Sequence, residues 1–239
     1  MTFASEIIFY LSNFNRKSSL FRQLMKVCFF LYVPLGSNVL WAQTLNDCEL
    51  KKTDQGISVY FCDRDSSDLK ALGAVFEVEA TLEQYAATVL NVEEYPSWNF
   101  EAKNPRILKQ ISDTELIYYA EADAPWPVTD RYLVLHLKVD QDPVTKMLDI
   151  TLRNVPEMIE EKENFVKVKE YNSLLRVVPL SEERLKIQYF LNIDPGGAVP
   201  AWVINLVSSR IPINTFSNLK KRLESPESKK KSLVSISNF

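Results

Sequence analysis

Few side chains in this sequence are suited to covalent or proton-transfer chemistry. It holds one histidine, His136, and three cysteines, Cys28, Cys48 and Cys62. Hydrolysis by a nucleophile needs a hydroxyl or thiol beside a base, and a zinc centre needs four Cys, His or carboxylate donors at ligand spacing. No histidine lies near the cysteines, and His136 is out of phase with the leucines around it in RYLVLHLKVD (131–140), which places it on a surface. The acidic run Glu157–Glu163 is most simply a solvated loop. No catalytic residue, metal site or cofactor is therefore assigned. What remains is binding chemistry. Arg131 could serve a phosphate or carboxylate, or it could tie down its own turn. Tyr118 could orient a polar group from a strand. Trp98, Trp126 and Trp202 are either walls of a ligand space or plain core.

Cys48 and Cys62 bracket CELKKTDQGISVYFC, which reads as a hairpin with its turn at Thr53–Gly56. Folding it about Gln55 sets the two cysteines opposite each other. A disulfide there would close a loop of 15 residues and stabilise by up to about 3 kcal/mol in the chain-entropy model. The alternative is a pair of free thiols in a reducing compartment.

The elements that must position these groups are mostly strands. After the hairpin comes LKALGAVFEVEA (69–80), then a helix capped by Thr81, with Gln84 completing a capping box. Pro96 ends the helical region. Six further strands read out at 106–112, 115–124, 131–140, 147–154, 173–180 and 183–194. In the last, Leu185, Ile187, Tyr189, Leu191 and Ile193 share one face; in 131–140 that face carries Leu133, Leu135, Leu137 and Val139. Eight or nine strands with short connections predict a curved antiparallel sheet.

Two adjacent glycines, Gly196 and Gly197, release the chain into a final helix over 198–224. Trp202, Leu206, Ile213, Phe216, Leu219 and Leu223 form its apolar stripe, widened by Val199 and Val203. Pro212 inside it predicts a kink. At ~1.5 Å per residue such a helix runs roughly 38 Å, enough to cover one mouth of a sheet. The reading is an α+β protein hollowed around an apolar ligand, with a helix on a solid core as the alternative.

At the N-terminus, a basic stretch from Arg16 to Lys26, the apolar run VCFFLYVPLG (27–36) and a small residue at Ala42 predict a signal peptide over 1–42. Met25–Lys26 would also make a start, so the first residues could be an extension, and a membrane anchor at 27–42 is the alternative. Export would suit a disulfide. The whole chain carries a formal charge of −3; without Arg16, Lys17, Arg22, Lys26 and Glu6, 24 basic side chains face 30 acidic ones, giving −6. An acidic body argues against nucleic acid, which needs a basic face. Residues 225–239 read as a disordered tail.

Four segments in order, GISVY (56–60), YPSWN (95–99), PWPVTDR (125–131) and DPGGAVPAWVINL (194–206), resemble the START (StAR-related lipid transfer) family, over about Asn46 to Glu224. The resemblance implies a helix-grip fold, a curved antiparallel sheet wrapped around a long C-terminal helix, with a ligand tunnel. It implies a domain spanning 46–224 that binds a lipid, transfers or senses it, touches membranes transiently and is not an enzyme; a polyketide cyclase-like enzyme on the same fold is the alternative. Sterol-carrying relatives place an acid–base pair on the strands flanking the PWPVTDR turn; here Tyr118 stands where the acid is expected. The residues expected at the ligand are Tyr118, Trp126, Arg131, Leu133, Leu135, Val199, Trp202, Val203, Leu206 and Phe216.

Overall fold

The computed structural model describes residues 48–64, 67–99, 102–200, 210–230 and 233–238. Ten strands make one sheet: β1 (Cys48–Asp54), β2 (Ile57–Arg64), β3 (Ser67–Glu79), β4 (Ala102–Ser112), β5 (Glu115–Ala122), β6 (Arg131–Gln141), β7 (Leu148–Asn154), β8 (Val166–Lys167), β9 (Glu170–Ser181) and β10 (Arg184–Asp194). Their order is β1-β2-β3-β10-β9-β7-β6-β5-β4, and the two-residue β8 runs parallel to β6. Every other pairing is antiparallel. The sheet curves without closing, as a helix-grip sheet does. β8 escapes sequence reading because two residues carry no alternation.

The hairpin register is as expected at its ends and different at its turn. Cys48 pairs with Cys62, and the two are bonded. The turn itself is Gln55–Gly56, both at positive φ (52° and 73°), the geometry of a type I′ turn. Asp54 therefore pairs with Ile57, and an irregularity between Leu50 and Lys52 absorbs the extra residue.

Helix α1 (Leu82–Leu90) begins in a complete capping box. The Thr81 hydroxyl accepts from the Gln84 amide at 3.2 Å, and the Gln84 side chain accepts from the Thr81 amide at 3.3 Å. A 3-10 turn over Val92–Ser97 follows, containing Pro96. Helix α2 (Ile211–Leu223) lies on the concave side: Phe216 meets Phe76 of β3 at 4.7 Å and Tyr189 of β10 at 5.1 Å between ring centroids. Pro212 falls in its first turn, where a missing N–H costs nothing, so it opens this helix rather than kinking its interior. Gln84 also donates to the Leu223 carbonyl, tying α1 to the end of α2.

Residues 225–239 do not behave as a free tail where they are described. Ser228 and Ile236 are buried. Ser237 exchanges backbone bonds with the Gln141 side chain at 2.8 and 3.0 Å, and the Asn238 side-chain oxygen accepts from the Glu83 amide in the first turn of α1 at 3.2 Å. The polar composition hid two apolar anchors, the buried Ile236 and the partly buried Leu233, and a helix N-terminus with unpaired amides to satisfy.

Candidate functional site

Antiparallel register places side chains of distant strands in rows across the concave face. One row runs from Tyr118 of β5 through its partner Leu135 of β6 to Asn154 of β7. The next step along it is Tyr171 of β9, one residue beyond the Arg153–Asn172 pair. A neighbouring row holds Ser173, between Leu152 and Leu191. The remaining inward positions, such as Leu137, Ile150, Val177, Leu185 and Ile187, are apolar and buried. A polar strip thus crosses an otherwise aliphatic surface.

Other elements bring more phenols to it. Tyr95, in the 3-10 turn, stands edge-on to Tyr118 at 5.7 Å and to Trp98 at 4.7 Å between ring centroids. Its hydroxyl donates to the Val89 carbonyl at 2.6 Å. The Tyr171 and Tyr189 hydroxyls approach to 3.5 Å. Burial pushes the Tyr95 phenol above its ordinary range, and the neighbouring Tyr171 and Tyr85 add to this. Tyr118 is raised by burial and then by Tyr95 and Tyr171; Tyr189 is raised by burial and then by Tyr171 and Tyr118. Tyr85, on α1, is raised by burial alone. Tyr85, Tyr95, Tyr118 and Tyr189 are therefore neutral hydroxyls at physiological pH.

Several polar atoms here have no protein partner although they are out of water: the Tyr85 hydroxyl, the Trp98 indole nitrogen, the Ser173 hydroxyl and the Asn154 carbonyl oxygen. Leaving a buried donor or acceptor unpaired costs about 1–3 kcal/mol, and such groups call for a water or a ligand. Three of the four are donors, and none is charged.

The expected residues divide into groups. Tyr118 and Leu135 are buried on the concave face, and Leu133 packs against the same core while partly exposed. Phe216 points from α2 onto the same core. Val199 is half-buried. Trp202, Val203 and Leu206 lie outside the described residues. Trp126 is corrected outright: it is 90% exposed at the tip of the turn between β5 and β6, so it lines no interior. Prolines on both sides hold it in a turn that projects from the sheet.

Arg131 is buried, and its guanidinium donates to the Thr129 carbonyl and, at 3.3 Å, to the Gly196 carbonyl. Burial lowers its pKa, against the pull of Asp130, though a guanidinium stays charged. It fastens the PWPVTDR turn to the glycine pair with carbonyl acceptors. Gly196 and Gly197 sit at φ 68° and 64°, and Asp194 accepts from the Gly196 amide at 2.9 Å. Gly196 is thus held at both its amide and its carbonyl.

Sequence reading missed Tyr85, Tyr95, Tyr171, Tyr189, Ser173 and Asn154. The inward parity of Asn154, Tyr171, Ser173 and Tyr189 was legible strand by strand, and Tyr85 by its helical spacing; their meeting was not. Among the described residues no group of histidines, cysteines and carboxylates is arranged to hold a metal ion. No helix among them is long and apolar enough to cross a membrane.

A model of the START domain matches residues 27–229. The chain belongs to the START domain family. An uncharacterised protein of Pseudomonas aeruginosa is 25% identical over 178 residues, covering 74% of this START chain and 87% of the relative. Human phosphatidylcholine transfer protein is 24% identical, covering 66% of this chain and 75% of its own. The zebrafish (Danio rerio) mitochondrial steroidogenic acute regulatory protein is 29% identical, and the match spans 59% of it. Among solved structures, a STAR-related lipid transfer protein from Xanthomonas axonopodis superposes with a TM-score of 0.69 at 22% identity, covering 75% of this chain and all of the other. Human StAR-related lipid transfer protein 5 gives 0.68 at 15% identity, over 86% and 95% of the two chains. At these identities the structures establish the shared START fold.

Proposed function

We propose that this START protein encloses a lipid between its concave sheet and the C-terminal helix, and transfers or senses it. The observation that carries the reading is a set of buried polar atoms without a protein partner, Ser173 and Asn154 on the concave face and Tyr85 and Trp98 on the helix and turn packed against it, within a family whose members bind lipids. Acyl chains would be held by burial, at about 0.8 kcal/mol per CH₂ removed from water, and the polar strip would orient the head. Loading would take place at a membrane. Trp126 is suited to that contact, because an indole on an exposed turn partitions to the interface between water and lipid. The Cys48–Cys62 bond fits an oxidising compartment, in keeping with export. No catalysis is part of this function.

The test is solvent extraction of the purified, folded protein followed by mass spectrometry. A lipid in stoichiometric amount, chemically unaltered after incubation, is the expected result. An empty extract, and no uptake from vesicles, would overturn it. A ligand returned with altered mass would instead indicate a cyclase-like enzyme.

A further inference from the structure

The polar atoms on the concave face say something about the head group, given that the interior holds a lipid as proposed above. We infer that this site selects a lipid whose polar end is uncharged and bears hydrogen-bond-accepting oxygens, such as a glycerol ester or alcohol, over one that carries a phosphate. Of the buried side-chain atoms left unpaired among the described residues, four belong to the strip and the elements packed on it, the Tyr85 hydroxyl, the Trp98 N–H and the Ser173 hydroxyl as donors and the Asn154 side-chain oxygen as an acceptor; the others are on Asn192, Thr215 and Arg222. Tyr85 is fully buried, and Trp98 and Ser173 nearly so. Together they match ester or hydroxyl oxygens plus one hydroxyl proton.

A phosphate would need a cation. Among the described residues Arg131 is the one cationic residue in the buried class, and its guanidinium is turned onto the carbonyls of Thr129 and Gly196; Arg222, whose Nε is also buried, is neutralised by Glu94 and Glu227. The phenols supply no charge either. Burial holds Tyr85, Tyr95, Tyr118 and Tyr189 in the protonated form. An anionic head brought to this strip would lose its hydration and gain neutral hydrogen bonds alone, a poor exchange in an apolar surround. A neutral head loses far less and finds the unpaired donors waiting.

The experiment uses the full chain, purified and incubated with vesicles holding equal amounts of dioleoylglycerol, dioleoylphosphatidylcholine and dioleoylphosphatidylglycerol. The acyl chains are identical, so head group alone discriminates. The protein is re-isolated and its lipid is quantified by mass spectrometry. The expected result is dioleoylglycerol enriched about tenfold or more over either phospholipid, the ratio that one or two hydrogen bonds support.

Tyr85→Phe and Ser173→Ala remove hydroxyls that no protein group uses. Each should lower that enrichment about three- to tenfold while leaving the melting temperature of lipid-free protein unchanged or raised. If these hydroxyls were merely structural, the variants would leave the enrichment where it was, and the inference would fall. Phospholipid loading equal to or above dioleoylglycerol would overturn the inference and leave lipid binding standing. Folded protein that takes up no lipid of any head group would overturn both.

Discussion

Gly196 shows how much one backbone position can carry. Its φ is 68°, and a Cβ built there would lie 2.8 Å from the Lys167 carbonyl oxygen. An L side chain meets both a left-handed backbone and a collision with backbone. Gly196→Ala should cost about 2 kcal/mol or more, read as a lower urea midpoint; an unchanged midpoint would mean that the contact with β8 is not held in solution. Glu121 makes a second prediction, on the outer face of the sheet. Burial alone would raise its carboxyl, but hydrogen bonds from Lys162, from the Tyr119 hydroxyl at 2.7 Å and from Asn104 at 2.6 Å outweigh that and hold it at about 2. A carboxyl whose folded pKa lies below its unfolded one stabilises fully above the unfolded value and loses that contribution as pH falls through the folded one. Melting temperature should therefore drop between about pH 4.5 and about pH 2, and Glu121→Gln should flatten that limb of the curve. A limb of unchanged steepness in the variant would assign the acid sensitivity to other carboxylates.

At the scale of elements, the β1–β2 hairpin stands at the edge of the sheet, stapled by the Cys48–Cys62 bond. An edge hairpin has one neighbour to hold it, so a covalent tie there limits fraying. Replacing both cysteines by serine should lower stability by up to about 3 kcal/mol, and adding reductant to the native protein should reproduce the shift; no shift in either would place the bond outside the folding equilibrium. The strands on the concave face were readable because each alternates cleanly: Leu185 and Ile187 inward, Arg184 and Lys186 outward. The outer face was not. Tyr119, Tyr132 and Val134 form a second apolar cluster there, covered by Val155, Ile159 and Phe165 from the connection after β7. A loop rich in glutamate reads as solvated, yet three of its apolar side chains lie against the sheet. The C-terminal residues follow the same logic, since a single buried isoleucine and a capping asparagine give no periodicity to detect.

Taken whole, the proposed function assigns membrane contact and ligand contact to different features of the molecule. Trp126 projects from a turn that Arg131 fastens to the glycine pair leading toward α2. Trp126→Ala should weaken partitioning to vesicles and slow lipid exchange, with little change in melting temperature, because the indole is 90% exposed and supports no packing. Co-sedimentation with vesicles, beside an exchange assay, would check it; equal partitioning would move membrane contact to another surface. Bound lipid should also raise the melting temperature in a concentration-dependent way, as any ligand specific to the folded state does.

The sequence by itself determined what neighbouring residues control: the capped α1, the hairpin that brings Cys48 to Cys62, and the strand faces with their aliphatic alternation. Four ordered motifs added the family and hence the overall plan. Only the tertiary structure decided which residues meet. Tyr85, Tyr95, Tyr118, Tyr171 and Tyr189 come from α1, the following 3-10 turn, β5, β9 and β10. Each alone is an ordinary inward aromatic. Their convergence depends on the curvature of the sheet and on the register between strands far apart in the chain, a sum of many long-range pairings that no local pattern encodes. The same holds for Trp126 and Arg131, five residues apart in one motif: turn geometry sends the indole into solvent and the guanidinium into the protein.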